Sequence, residues 1–280
     1  MSRRPRATPS PRRAPRSHEL VALDRALRVL ETFSDARPRQ SLSSIAGEVA
    51  LDKAVVFRIL RAFVNHGLMG RDVATEEYFI TPAVLRWVFA VPGFQQLRAL
   101  ALPQMIRLRD LSQETVFLSM VDGDHRISVF QLESPHQIKR TVPLGVRHRI
   151  VYGATGKAAL AFLPAERIER ILSRTPLRRL AAGTLVARAD LEAELRRTRA
   201  RGYAIGVQEE VPNVAGVAGP IFDHAGEVAA VLTVTGPLQR FRAAARAEAG
   251  PHVVAAARQI SQQLGYLQLT AASGERGGAR

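Results

Sequence analysis

The chain has 280 residues, 46% of them hydrophobic, a formal net charge of +15 at pH 7 and no cysteine. Such a chain can bury one or two cores, two domains being the natural expectation, and the absence of thiols excludes disulfides, thiolate metal sites and cysteine nucleophiles. No apolar run is long enough to span a bilayer, the N-terminus lacks the apolar centre of a secretory signal, and the seven histidines show no paired metal-ligand spacing, so a cytoplasmic protein without membrane contact, metal or cofactor is expected.

The charge is unevenly spread. Residues 1–18 carry Arg3, Arg4, Arg6, Arg12, Arg13 and Arg16 and no acid; residues 19–93 balance nine basic against nine acidic side chains; residues 94–280 carry twenty-five against sixteen. Four prolines interrupt the basic arm, which is expected to be disordered. Its arginines either touch DNA phosphates or the minor groove, or only aid solubility, and an over-long gene start is a further reading. Leu20, Leu23, Leu27 and Leu30 follow at helical spacing with Phe33 at the end, a stripe that serves either a core or a contact with a second copy.

Two short amphipathic helices then stand three residues apart. Ser41 is a good N-cap for the first, whose Leu42, Ile45, Ala46 and Val49 fall on one face. Ala50, Leu51 and Asp52 make the break, and Asp52 can cap the second helix. The stripe Val56, Ile59, Leu60, Phe63 and Val64 runs to Gly67, a stop suited to a left-handed residue. The other face of that helix presents Lys53, Ala54, Val55, Phe57, Arg58 and Arg61. In a helix-turn-helix the early exposed residues of the second helix enter the major groove. Leu68 to Arg71 and Tyr78 to Thr81 read as strands around a polar turn, a wing that would bring Arg71 near a phosphate. Many helix pairs of this kind touch no DNA. The wing and the preceding helix favour duplex DNA.

From Pro82 the pattern changes. Val84, Leu85, Val88 and Phe89 make a short helix ending near Pro92 and Gly93. Leu97, Leu100 and Leu102, then Met105, Ile106, Leu108 and Leu111, suggest a linking helix followed by a packed one. Thr115 to Val121 and Arg126 to Leu132 flank Asp122-Gly123, a strong hairpin signal. Helices are expected at 156–162, 165–173 and 190–201, strands at 216–223 and 227–235, and a final helix at 243–266. This order argues for an α+β domain with an antiparallel sheet and flanking helices. Gly153-Ala154-Thr155-Gly156-Lys157 has a superficial phosphate-loop look but lacks the glycine spacing and the Ser/Thr after the lysine. Gln208-Glu209-Glu210 could mark a metal site or an acid-base pair, but reads more simply as a polar turn before Pro212 that contributes to packing or an oligomer contact.

The segment Ala22 to Leu30, the runs Leu42-Ser43-Ser44-Ile45-Ala46, Leu51-Asp52-Lys53 and Phe57-Arg58-Ile59-Leu60, and the distant runs Arg201 to Ala204, Glu209-Glu210, Val217 to Ile221 and Thr233 to Pro237 together resemble the IclR-type bacterial transcription regulators. The resemblance covers roughly residues 20–265. It implies a disordered arm at 1–18, a winged helix-turn-helix domain at 19–81, linker helices at 82–101, a GAF-like effector-binding domain at 102–268 and a disordered tail at 269–280. It further implies a homodimer or homotetramer on palindromic double-stranded DNA, answering to a small organic or aromatic acid. Where relatives usually place Ser or Thr at the start of the recognition helix, this chain has Ala54 and Val55, and Phe57 stands where a polar residue is common. Apolar contacts with Lys53 and Arg58 would then carry more of the reading.

By the same resemblance the effector lies between the sheet and the start of the helix near Gly156. Ala154 and Thr155 would offer backbone N–H groups to a carboxylate. Thr233 and Thr235 alternate on one strand face and would direct both hydroxyls at the ligand, although threonines are also common in strands for purely structural reasons. Gly206 and Gly216 replace residues that are often Asp and Cys, which implies a ligand bulkier or less polar than a two- or three-carbon acid. The competing reading, a metabolite-binding module or enzyme with an incidental helix-turn-helix, lacks any visible nucleophile-base arrangement.

Overall fold

A computed structural model describes residues 20–34 and 36–267 of the chain; the expected arm at 1–18 and the tail at 269–280 lie outside those residues. Two compact units divide between Pro92 and Gly93.

In the first unit, α1 (Val21–Leu30) is followed by β1 (Arg39–Gln40), α2 (Leu42–Val49), α3 (Lys53–Asn65), β2 (Met69–Arg71), β3 (Tyr78–Ile80), a 3-10 turn at Pro82–Val84 and α4 (Leu85–Phe89). The caps read from sequence are made. The Ser44 N–H donates to Ser41 Oγ at 3.2 Å, and the Ala54 N–H donates to Asp52 Oδ1 at 2.7 Å. Each satisfies one of the four orphan donors of its helix. Ala50 closes α2 with φ 53°, and Gly67 follows α3 with φ 69°, a conformation that costs glycine nothing. β1 pairs with β3, making the wing a three-stranded antiparallel sheet of order β1-β3-β2. Two residues are too few to show an alternation, so β1 is invisible in the sequence.

The core of this unit is Val29, Ile45, Ala46, Val49, Val56, Leu60, Met69 and Tyr78. The leucine stripe of α1 is not its main source. Leu20, Leu23 and Leu27 are 75%, 55% and 51% exposed, and α1 instead buries Val29 with Leu30 and Phe33 packed alongside.

The second unit begins with α5 (Phe94–Ser112), continues through β4 (Thr115–Asp122), β5 (His125–Leu132), β6 (Arg147–Arg149), α6 (Gly153–Leu160), α7 (Ala165–Arg174), α8 (Arg188–Arg201), β7 (Ala204–Val207), β8 (Val214–Phe222) and β9 (Val228–Pro237), and ends with α9 (Ala243–Gln263). The expected break between a linking and a packed helix is absent: α5 passes through Pro103, so a boundary at 101/102 would cut a continuous helix. Pro103 and Ala99 both face solvent, where water can satisfy the carbonyl that the missing N–H leaves free.

Six antiparallel strands form one sheet of order β6-β5-β4-β9-β8-β7. Alternation along β9 divides the helices between its faces. Ala230, Leu232 and Val234 pack with α5 and α9, while Val231 lies in the cluster built on α6, α7 and α8. Thr233 and Thr235 are in phase with Val231 and therefore face α6. α6 begins at Gly153, three residues earlier than expected, because residues 153–160 are all buried and the amphipathic signal is missing.

Candidate DNA-reading surface and effector cavity

The N-terminal half of α3 is fixed in two ways: Asp52 caps its first turn, and Val56 and Leu60 pin one face to the core. The opposite face is thereby forced outward. Lys53, Ala54, Phe57, Arg58 and Arg61 are exposed, Phe57 by 42%, and Val55 is half-buried. Val55 and Arg58 also border a groove against Ala22, Arg25 and Ala26 of α1. Phe57, beside two arginines and a lysine, lies outside the core of this unit. The Ser41 hydroxyl accepts the Ser44 N–H in the cap, which leaves its O–H to donate elsewhere. At the wing, Arg71 Nη2 lies 2.7 Å from Glu76 Oε1 and the guanidinium sits over the Tyr78 ring. Both members of this ion pair are open to solvent, so it is worth at most about 1 kcal/mol and a phosphate can displace Glu76.

In the second unit a cavity of about 80 Å³ opens between the first turn of α6, strands β7 to β9 and the segment around Arg140. All six residues expected at an effector site, Ala154, Thr155, Gly206, Gly216, Thr233 and Thr235, line it. Thr155 and Thr233 share a hydroxyl hydrogen bond of 3.0 Å, and Thr235 donates to the Ala215 carbonyl at 3.0 Å. The N–H groups of Ala154 and Thr155 stand in the first turn of α6, where donors have no intrahelical acceptor and the helix dipole is positive.

Gly206 does not open space as expected, and the room at Gly216 is tight. A Cβ at Gly206 would come within 2.6 Å of the Ala154 backbone nitrogen, and one at Gly216 within 3.3 Å of the Val234 carbonyl. Gly206 serves instead to let the start of α6 close on β7.

Sequence reasoning missed the charged wall. Arg126 on β5, Arg140, His148 on β6, Glu209 and Glu210 all line the cavity. Lys157, only 2% exposed, donates to Glu209 Oε1 at 2.5 Å and to the Ile205 carbonyl at 2.7 Å. Glu209 also accepts the Gly153 N–H at 3.2 Å, so one carboxylate holds the helix start and the buried ammonium together. This explains the lysine of the false phosphate loop. Burial pushes the Glu209 carboxyl above its ordinary range against the pull of Lys157. Burial likewise raises Glu210, which pairs with Arg126. His148 is driven down to about 4 by burial and by the charges of Arg126 and Arg140, so its 3.7 Å approach to Glu210 is not an ion pair at neutral pH. One signal for this wall was available: Arg126 is in phase with the buried Ser128 along β5, and a cation in step with an inward position marks a polar interior.

Comparison with known proteins decides the family. The IclR helix-turn-helix domain matches residues 22–72, and the bacterial transcriptional regulator IclR C-terminal domain matches residues 91–262. The chain belongs to the IclR family. It is therefore a helix-turn-helix transcription regulator with a C-terminal effector domain, and not an enzyme. Among relatives, the HTH-type transcriptional regulator BhcR of Paracoccus denitrificans is 32% identical over 258 residues, covering 92% of each chain. The transcriptional repressor IclR of Escherichia coli is 26% identical over 257 residues, 91% of this chain and 94% of that one. An IclR homolog from Microbacterium hydrocarbonoxydans, solved in complex with 4-hydroxybenzoate, superposes with a TM-score of 0.73 at 26% identity over 87% of this chain and 98% of the other. The Thermotoga maritima IclR structure shares the fold with a TM-score of 0.75, 24% identity, and coverage of 89% and 100%. Among the described residues, no helix of this IclR-family chain is long and apolar enough to cross a membrane.

Proposed function

We propose that this regulator reads a palindromic operator through α3 and is controlled by a small organic acid held at the start of α6. Lys53, Ala54, Val55, Phe57, Arg58 and Arg61 meet the major groove, with Ser41 and Arg71 on flanking phosphates. The observation that carries this reading is the outward face of the capped α3, where Phe57, Arg58 and Arg61 are exposed. In this reading Arg58 pairs with guanine, and Phe57 and Val55 contact thymine methyl groups.

One recognition helix contacts too little DNA to be specific, so the working form is a cytoplasmic homodimer or homotetramer on half-sites about one helical turn apart. The exposed Leu20, Leu23 and Leu27 of α1 and the exposed Leu85, Trp87 and Phe89 of α4 support a contact between copies. In the effector domain the acid lies among Ala154, Thr155, Gly206, Gly216, Thr233 and Thr235. It acts by binding one of two assembled states more tightly than the other, since a ligand with equal affinity for both shifts nothing.

A gel shift on the chain's own upstream intergenic DNA, with and without deletion of residues 1–18 and with a panel of small acids added, tests the reading. A discrete complex that survives random competitor and responds to an acid supports it. Binding that vanishes with the arm or with competitor would reduce it to nonspecific attraction.

A further inference from the structure

The cavity wall carries more positive charge than it uses. Lys157 is matched by Glu209 and Arg126 by Glu210, whereas Arg140 makes no ion pair among the described residues. Its guanidinium only donates to the neighbouring Thr141 carbonyl, at 2.5 Å.

Arg126 is incompletely used in a second way. It is 3% exposed, its Nη2 meets Glu210 Oε2, and its Nε is buried with no hydrogen-bond partner. The Nε and Nη2 hydrogens of an arginine project from one edge and fit the two oxygens of one carboxylate. Elsewhere in this unit Arg240 shows the filled version: its Nε and Nη2 reach Glu114 Oε1 and Oε2 at 2.6 and 2.9 Å. On Arg126 the same edge is half-filled, because the second oxygen of Glu210 is turned toward His148, 3.7 Å away. An unpaired buried guanidinium N–H costs free energy that a better-fitting carboxylate would recover.

We propose that Arg126 and Arg140 are the carboxylate subsite of the effector cavity, and that Glu210 occupies Arg126 as a tethered competitor which an incoming acid displaces. This inference rests on reading the cavity as the effector site. The ligand class is a small carboxylic acid: its carboxylate spans the Nε–Nη2 edge of Arg126 and takes up the surplus charge of Arg140. The rest of the molecule extends toward Thr155, Thr233 and Thr235. Glu210 adjoins Glu209, which holds the first turn of α6 through Gly153 and Lys157. Exchange at Arg126 therefore pulls on the turn at 208–211 and on that helix start.

The test is isothermal titration of the full chain with glycolate, succinate, benzoate and 4-hydroxybenzoate, each beside its neutral amide, on wild type and on the Glu210→Gln, Arg126→Lys, Arg140→Gln and Thr233→Val variants. Wild type should bind at least one acid and none of the amides. Glu210→Gln, which keeps the shape but removes the competing charge, should bind that acid roughly tenfold tighter, a gain that misfolding cannot produce. Arg126→Lys, which retains charge but loses the fork, should bind it roughly tenfold weaker, and Arg140→Gln likewise. The proposal is overturned if amides bind as well as acids, if Glu210→Gln binds no tighter, or if no acid binds either protein. Amide binding that is lost in Thr233→Val would leave the effector cavity standing without its carboxylate subsite. A compound that dissociates the operator complex and is indifferent to every one of these variants would remove both.

Discussion

Replacing Lys157 with methionine keeps most of the side-chain volume and strips the buried Glu209 of its cation. Lys157 and Glu209 are 2% and 8% exposed, so neither can turn to water for compensation. Breaking a buried pair from one side costs about 3–5 kcal/mol, chiefly the penalty of an uncompensated charge. Glu209 keeps the Gly153 N–H, and its carboxyl is already pushed upward by burial, so part of the penalty is escaped by taking up a proton; about 3 kcal/mol is the working figure. In a unit of this size each kcal/mol moves the melting temperature by about 2–4 °C, which predicts a fall of about 6–12 °C in the transition of the C-terminal unit. The sign of the pH dependence follows. A carboxyl whose folded pKa is raised loses stability as pH climbs through that pKa, so the deficit of Lys157→Met should widen from acid toward neutral pH. Adding Glu209→Gln removes the stranded charge while keeping an acceptor for Gly153, and should recover most of the loss. Scanning calorimetry of wild type, single and double variants measures all three quantities. A single-variant change below about 1 kcal/mol, or a double variant no better than the single, would refute the assignment of this pair as the anchor of α6.

Substitutions at three further positions probe separate parts of the molecule. Gly206→Ala places a Cβ 2.6 Å from the Ala154 nitrogen and should cost roughly 1–3 kcal/mol by denaturant titration, with a weakened acid response. Asp52→Ala removes the 2.7 Å acceptor of the Ala54 N–H and should destabilise the N-terminal unit by about 1 kcal/mol and weaken operator binding, whereas Asp52→Asn should do neither. His148, whose folded pKa is depressed to about 4, stays neutral in the fold while the unfolded chain takes up a proton. Wild type should therefore lose stability relative to His148→Gln as pH falls from about 6.5 toward about 4, by roughly 1–3 kcal/mol. The difference between the two proteins isolates this imidazole from Glu209 and Glu210, which respond in the opposite direction. An unchanged difference across that range would contradict it.

The helix-turn-helix was legible because caps and periodicity are local: Ser41, Asp52 and Gly67 mark ends that the backbone then adopts. α6 was misplaced for the converse reason. A helix buried on all sides has no polar face to give a period, and Gly153 at its first position reads as loop. Leu20, Leu23 and Leu27 show that periodicity identifies an apolar face without saying what covers it. The six residues transferred by resemblance do converge on one cavity, because Thr233 and Thr235 share a strand face and α6 closes over Gly206. The charged wall was not legible. Arg126 and His148 face each other across the β5–β6 pair with Arg140 on the connection between them, but Glu210 is remote in sequence, and the fold of β7 to β9 and α6 brings it onto them.

Sequence-specific reading by the exposed face of α3 is tested by Arg58→Ala in a competition gel shift on the upstream intergenic DNA beside a random duplex. Wild type should give a discrete complex resistant to competitor, and the variant should lose about 1–3 kcal/mol on the specific site with little change on random DNA. An equal loss on both duplexes would assign Arg58 to phosphate, and a wild-type complex that random DNA removes would contradict sequence-specific reading by this surface.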